Sequence, residues 1–165
     1  MISTLAQHVD VAVIGAGSAG LPAFRAAHEH SDRIALIERG PHGTTCARVG
    51  CMPSKLLIAA AEAAHDLKKA SGFGVHPGEI RIDGEAVMER VRRERDRFVG
   101  FVLDSVDSIE ERHKVSGQAC FIEDGLLEIG GMRMHADRVV IATGSYPIIP
   151  DFLSGLGDRL AVNDD

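Results

Sequence analysis

Val9-Asp10-Val11-Ala12-Val13-Ile14-Gly15-Ala16-Gly17-Ser18-Ala19-Gly20 is the stretch from which the fold can be read. Residues 9–14 are nearly all apolar and stop at a glycine, as a buried parallel strand does. Residues 17–30 are alanine-rich and read as a helix, with Pro22 tolerated in the first turn, where its missing N–H loses no partner. A second short apolar run, 34–37, completes a βαβ unit. Between the first strand and its helix lies G-x-G-x-x-G, the context that gives this motif meaning. Gly15 permits the tight turn, Gly17 lets a pyrophosphate approach the backbone, and Gly20 lets helix and strand pack closely. The phosphates would rest on the helix N-terminus, where free N–H groups and the dipole favour negative charge. Glu38 ends the second strand, where a carboxylate accepts hydrogen bonds from an adenosine ribose. A glycine-rich turn beside a surface acid is the plainer reading, and the strand, helix and acid together outweigh it. Whether the dinucleotide is FAD or NAD, these residues do not say.

Outward from this unit, residues 39–50 read as loop, with Gly40, Pro41 and Gly43. A helix is expected from Pro53 to about residue 70, followed by a connection over 72–84. Asp83 caps a long helix, 84–109, in which Val87, Val91, Phe98, Val102, Val106 and Ile109 recur at helical spacing. Three strand readings follow: 115–122, a hairpin of 126–129 with 132–135 around Gly130–Gly131, and 139–142, closed by Thr143–Gly144. Pro147 and Pro150 lead into a polar tail. The expected fold is α/β: a Rossmann-type domain with a parallel sheet and a small antiparallel β meander.

The second informative stretch is Cys46-Ala47-Arg48-Val49-Gly50-Cys51-Met52-Pro53-Ser54-Lys55. Cys51 stands at a helix start, where dipole and free N–H groups stabilise the thiolate that attacks disulfides. Cys46 lies in the preceding loop and can close a disulfide with it. Lys55, one turn on, brings positive charge to a thiolate or a reduced flavin. An iron–sulfur run would need its next cysteine within a few residues, and Cys120 is far away. A zinc site would need further ligands at short spacing, which His42 alone does not supply. Two unrelated buried cysteines would leave the Gly50–Pro53 context without a reason. A redox pair is the reading that remains.

The segment 43–55 resembles the active-site signature of the pyridine nucleotide–disulfide oxidoreductases, which include dihydrolipoamide dehydrogenase, glutathione reductase and mercuric reductase. Pro53-Ser54-Lys55 looks more like dihydrolipoamide dehydrogenase or mercuric reductase than glutathione reductase. The resemblance implies FAD as cofactor. Its contacts would be Gly15, Gly17, Ser18, Ala19, Gly20, Glu38, Arg39, Thr45, Cys46, Lys55, Ala119, Thr143, Gly144 and Ser145. Cys46 would be the interchange thiol that meets substrate, and Cys51 the charge-transfer thiol against the flavin. Thr44 stands where a second glycine is usual, and Ala47-Arg48 where Val-Asn is usual. The first departure bears on how the backbone lies along the cofactor, the second on the potential or substrate preference of the disulfide.

On this resemblance, residues 1–150 form the N-terminal part of an FAD-binding domain, and 151–165 lead toward an NAD(P)-binding domain outside the chain. The implied activity passes electrons between NAD(P)(H), FAD, the Cys46–Cys51 disulfide and a dithiol or disulfide substrate such as lipoamide, in an enzyme that is a homodimer across the family. The family's acid–base pair and nicotinamide site belong to its later domains, so the 165 residues alone are not expected to turn over. A mercuric-reductase-like or other disulfide-reductase parent is the alternative within the class, and a non-catalytic flavin-binding or thiol-redox module the alternative outside it. A single-domain NAD-binding protein would leave the cysteine segment unexplained.

Composition is consistent with this and closes other routes. A net charge of −6 gives no nucleic-acid footprint and does not favour anionic membranes. The first ten residues have neither the basic start nor the apolar run of a secretion signal, so a cytoplasmic location is expected. There three cysteines should not mean structural disulfides. No metal site is assigned: His28, His30, His65 and His113 read as helix-face residues, while His8, His42, His76 and His135 carry no role. Cys120 reads as a buried core thiol.

Overall fold

The computed structural model describes residues 7–162. The elements run β1 (Gln7–Ile14), α1 (Gly20–His28), β2 (Ile34–Glu38), α2 (Thr45–Arg48), α3 (Cys51–Lys69), α4 (Gly84–Asp107), β3 (Lys114–Ser116), β4 (Ala119–Glu123), β5 (Leu126–Ile129) and β6 (Met132–Ile141). Short 3-10 turns precede β3 (Glu111–His113) and occupy Asp151–Arg159 after the last strand. Among the described residues no helix is long and apolar enough to cross a membrane. The chain forms two compact units. One comprises residues 7–45 and 102–148, and the other 46–101 and 149–162.

The first unit carries the sheet, in the order β3-β2-β1-β6-β5-β4. β1 pairs in parallel with β2 and with β6, and β2 with β3. β4, β5 and β6 form the antiparallel meander. The period of two along β1 and β2 feeds two cores. Ala12, Ala35 and Ile37 face Leu127, Ile129, Met134 and Ala136 of the meander. Val13, Ile34 and Leu36 face the other way, onto Leu21 and Phe24 of α1 and Val106 of α4. All of these are at most 5% exposed, which explains why β2 has no polar face to alternate with.

Two strand expectations are corrected. The run expected over 115–122 is two strands: β3 adds to β2 in parallel, and β4 pairs with β5. The break falls at Gly117, whose φ of 147° and N–H bond to the Glu38 carbonyl (2.9 Å) turn the chain out of the parallel layer. A Cβ there would press on Ile129 Cγ2 at 2.8 Å, so the turn needs glycine. Conversely, 132–135 and 139–142 are not separate strands. β6 runs unbroken through the exposed Asp137-Arg138 because it lies between two strands, pairing with β5 over Met132–His135 on one edge and with β1 from Met134 to Ile141 on the other. The hairpin itself matches expectation: Gly130 and Gly131 have φ of 56° and 87°, the signs a type I′ turn demands.

α1 starts at Gly20 rather than at residue 17 and ends at His28, so His30 lies beyond it. In α4 the expected apolar positions are all at least half-buried, and Asp83 caps the helix through Oδ1 to the Ala86 N–H at 3.0 Å. His113 is not a helix-face residue: it is 2% exposed, and its Nδ1 bonds to the Ile34 carbonyl. Cys120 is exposed rather than buried, because β4 is the edge strand and most of its side chains face solvent.

Four carboxyls of this unit are held below the ordinary carboxylate range. Asp10 is lowered by hydrogen bonds from Ser31 and Arg33, Asp32 and Glu110 by Arg112, and Asp137 by His8. A depressed folded pKa contributes stability that is complete above the unfolded value of about 4 and is lost as pH falls through the folded one. The thermal midpoint is therefore expected to hold above about pH 4 and decline below it. Asp10→Asn should flatten part of that acid limb. An identical limb in the variant would show that Asp10 contributes nothing to it.

Candidate functional site

In the first unit, β1 delivers its C-terminal end directly into the glycine loop. Gly15 has φ of 105°, and its N–H donates to the Ile37 carbonyl at 2.7 Å. A Cβ on Gly15 would overlap the Ala142 carbonyl oxygen and lie 2.8 Å from the carbonyl carbon. A Cβ on Gly20 would overlap the Gly15 carbonyl in the same way. These glycines are where β1, the start of α1 and the residues after β6 come together. Gly17 differs: a Cβ there would meet no atom of the described residues within 4 Å beyond its chain neighbours. The space before it is open.

α1 begins without a side-chain cap and without an acid in its first turn. Leu21 N–H is already bonded to the Gly17 carbonyl at 3.1 Å and Pro22 has no N–H, so what this end offers a pyrophosphate is chiefly the positive end of the helix dipole. Ser18 and Ala19 are exposed at that end. Thr143 lies beside Gly15, its nitrogen 3.3 Å from the position of a Gly15 Cβ, and Thr143, Gly144 and Ser145 are exposed. Gly144 has φ of 76°. Arg39 is exposed just after β2, and Ala119 opens β4 two positions after the Gly117 turn.

Glu38 has a role that its spacing did not reveal. Its Oε2 accepts from the Ala16 N–H at 2.7 Å and its Oε1 from the Gly40 N–H at 2.8 Å. The acid thus braces the glycine loop, and its two oxygens keep lone pairs for a ribose. The missed partner, Ala16, is a variable position of the motif and contributes only its backbone. No side-chain pattern could have announced it.

The Thr44 departure is conformational. Thr44 has φ of 57°, the only positive φ outside glycine among the described residues. A β-branched residue there is strained. The backbone keeps the conformation a glycine would adopt, at the threonine's expense. Thr44→Gly is therefore expected to stabilise the chain by about 1 kcal/mol. A higher urea midpoint at unchanged slope would register the gain. An unchanged or lower midpoint would mean that the threonine side chain offsets its own strain.

In the second unit, Cys46 sits within α2 and Cys51 is the first residue of α3, with Gly50 as N-cap. Both thiols are free; Cys46 is half-buried and Cys51 exposed. The Cys46 thiol is pushed above its ordinary pKa first by the neighbouring Cys51 thiol, then by burial. The Cys51 backbone N–H and the nearby Lys55 charge pull the other way. Ser54 Oγ–H donates to the Gly50 carbonyl at 2.8 Å, tying the first turn of α3 to the loop between the cysteines. Lys55 follows one turn on and is exposed. Chemically this is a neighbouring pair of free thiols beside a helix start and an ammonium, the arrangement that thiol–disulfide exchange needs. Thr45, the residue before Cys46, is exposed at the start of α2.

Comparison with known proteins agrees with this chemistry. Residues 9–163 match the family model described as pyridine nucleotide-disulphide oxidoreductase. The chain is 39% identical to a mercuric reductase of Serratia marcescens over 86% of its length and 32% of the relative's. It is 33% identical to a dihydrolipoyl dehydrogenase of Chlamydia muridarum, over 84% of the chain and 30% of that protein. The fold matches the Cu(II) complex of the HOCl-induced flavoprotein disulfide reductase RclA from Escherichia coli. That match has a TM-score of 0.68 at 22% identity and covers 88% of this chain and 30% of the other. The chain thus spans about a third of the curated relatives it matches. It belongs to the pyridine nucleotide-disulphide oxidoreductases, a family of flavin-dependent enzymes.

Proposed function

We propose that the chain is the FAD- and dithiol-bearing portion of a disulfide oxidoreductase of the dihydrolipoamide dehydrogenase type. The observation that carries the reading is the placement of Cys46 in α2 and of Cys51 as the first residue of α3, near enough for Cys51 to be the main influence on the Cys46 thiol. Residues 1–150 are the N-terminal part of the FAD-binding domain, and the segment from 151 leads toward an NAD(P)-binding domain. Gly15, Gly17, Ser18, Ala19 and Gly20 hold the pyrophosphate. Glu38, Arg39 and Ala119 serve the adenosine end, and Thr45, Lys55, Thr143, Gly144 and Ser145 the remainder of FAD. When bound, FAD supplies two-electron exchange with the cysteine pair and with NAD(P)(H).

The chain's own residues do the thiol chemistry. Cys46, once its proton is removed, attacks one sulfur of a substrate disulfide and releases the other as a thiol. Cys51 then attacks Cys46 of the mixed disulfide, freeing the second substrate thiol and closing Cys46–Cys51. Two electrons pass from the pair to the substrate. In the opposite direction a dithiol such as dihydrolipoamide reduces the pair and is itself oxidised to the disulfide. Lys55 supports negative charge on sulfur, and the Cys51 N–H does so for Cys46. A homodimeric whole enzyme and a cytoplasmic setting go with this reading.

A second substrate class has support in the 39% identity to a mercuric reductase: Hg(II), which the same dithiol would hold as a bis-thiolate. The absorbance spectrum of the purified chain, followed by anaerobic dithionite titration, tests the shared core. Flavin bands, with two more electrons taken up than the flavin accounts for, are expected. A chain that binds no added FAD would overturn the flavin assignment. Reduction of the oxidised, flavin-loaded chain by dihydrolipoamide would favour the lipoamide reading, and two-electron reoxidation of the reduced chain by Hg(II), with Hg(0) formed, the mercuric one.

A further inference from the structure

Residues that the sequence disperses meet on the first unit, away from the cysteines in sequence. His28 closes α1, Asp32 lies in the turn before β2, and His113 ends the 3-10 turn before β3. His28 Nε2 is 3.7 Å from Asp32 Oδ1, and His113 Nε2 is 3.6 Å from the same oxygen. One donor atom from each of the three lies within 4.8 Å of the others. Two ligands about 2.1 Å from one tetrahedral ion stand about 3.4 Å apart, so this spacing needs little closure to hold a metal.

The stronger observation is His113. It is 2% exposed, and its Nδ1 is bonded to the Ile34 carbonyl at 2.9 Å. A carbonyl only accepts, so Nδ1 carries the hydrogen and the neutral ring presents a lone pair at Nε2. That Nε2 is buried with no hydrogen-bond partner among the described residues, and it lies on the side of Asp32. A buried polar atom left unpaired is costly, and native structures seldom keep one without a use. An N–H to a carbonyl behind the ring is also how ligating histidines are oriented toward a metal. Phe24 holds both rings: it stacks on His28 with centroids 5.7 Å apart and meets His113 edge-on at 5.7 Å.

The charge balance favours a cation. Asp32 accepts from Arg112 at 2.6 and 2.8 Å, and Arg112 Nε donates to Glu110 at 2.8 Å. Two carboxylates and one guanidinium leave −1 with both imidazoles neutral, and the Asp32 oxygens keep lone pairs beyond those given to arginine. His28 also stands at the C-terminal end of α1, where the helix dipole attracts positive charge. An open cleft of about 260 Å³, lined in part by Asp32, Arg112 and His113, leaves an approach for an ion and room for a water ligand.

We propose that His28 Nε2, His113 Nε2 and the Asp32 carboxylate bind one divalent transition cation of the zinc class. Two imidazoles and a carboxylate suit Zn(II), Co(II), Ni(II) or Cu(II) and not Mg(II) or Ca(II). The ion ties the end of α1 to the residues that lead into β2 and β3. The site makes no use of the flavin or the thiol pair, so it stands or falls apart from the proposed function. A second group, His8, His135 and Asp137, is exposed throughout, and His8 already satisfies Asp137 at 2.7 Å. It serves as the control.

The test is Co(II) titration of the chelator-stripped chain, with Zn(II) competition and thermal midpoints. One equivalent is expected, with visible d–d bands, no thiolate-to-cobalt charge-transfer band, and a raised midpoint with Zn(II) but not Mg(II). The side chain of His28 is 47% exposed, so His28→Gln should spare the fold, which circular dichroism checks. It should weaken Co(II) at least about tenfold. His135→Gln should leave the affinity unchanged. The imidazole nitrogen NMR resonances of His28 and His113 should move together on adding Zn(II). No uptake at millimolar Co(II), an affinity untouched by His28→Gln, a thiolate band, or loss on His135→Gln would each overturn the proposal.

Discussion

Gly20→Ala is expected to destabilise the chain by at least about 4 kcal/mol, a large part of the stability a domain of this size carries. The added Cβ would overlap the carbonyl oxygen of Gly15 and lie 2.8 Å from its carbonyl carbon. Neither partner can step aside cheaply. Gly15 is held by its N–H bond to the Ile37 carbonyl, and Ala142 behind it by its own bond to the Ile14 carbonyl at 2.8 Å. Moving α1 instead would part Leu21 and Phe24 from Val13 and Leu36. Gly17→Ala is the informative contrast. Its Cβ meets no atom of the described residues beyond its neighbours within 4 Å, so the thermal midpoint should change by only a degree or two while FAD binding falls sharply. Urea melts with and without FAD measure both. Parent-like stability for Gly20→Ala would mean that strand and helix do not approach as closely as described. Parent-like FAD binding for Gly17→Ala would remove the reason for a glycine there.

Loss of either cysteine of the pair has the second large effect, on redox chemistry rather than on stability. The reduced chain carries three free thiols. Mild oxidation should consume the Cys46 and Cys51 thiols and leave Cys120. Cys46→Ser or Cys51→Ser should abolish the intramolecular disulfide, and the flavin-loaded chain should then take up two electrons fewer. Cys51→Ala adds a finer reading. The Cys51 thiol is the largest influence holding Cys46 above the ordinary thiol range. Its removal should let Cys46 be alkylated at lower pH than in the parent, because the thiolate is the reactive form. Mass-resolved alkylation against pH measures the shift. A Cys46 profile that stays put would show that burial, not its partner, governs this thiol.

The two regions differ in how openly the sequence displays them. In β1 and the glycine loop each residue's local task agrees with its place in the fold: an apolar run, a turn at Gly15, a helix start at Gly20. The cysteine segment is legible for the same reason, since both thiols, the helix start and Lys55 fall within one short stretch. The β-hairpin at Gly130–Gly131 is announced by its turn chemistry alone.

What the sequence determined by itself is therefore whatever is local: the βαβ unit, the dithiol, the apolar face of α4, and the α/β class with its family resemblance. What only the tertiary structure decided depends on partners distant in sequence. Residues 115–122 look like one strand because a pattern of side chains does not record a change of sheet neighbour at Gly117. β6 looks like two strands because its polar Asp137-Arg138 is exposed just past the end of its pairing with β5, while its pairing with β1 continues through them. Cys120 looks like core because an apolar alternation does not say that its strand is an edge. Glu38 reaches a backbone N–H, which has no letter of its own, and His113 finds His28 and Asp32 only when β3 docks beside β2. Periodicity and spacing fix a residue's neighbours along the chain, while burial and coordination are fixed by neighbours across it.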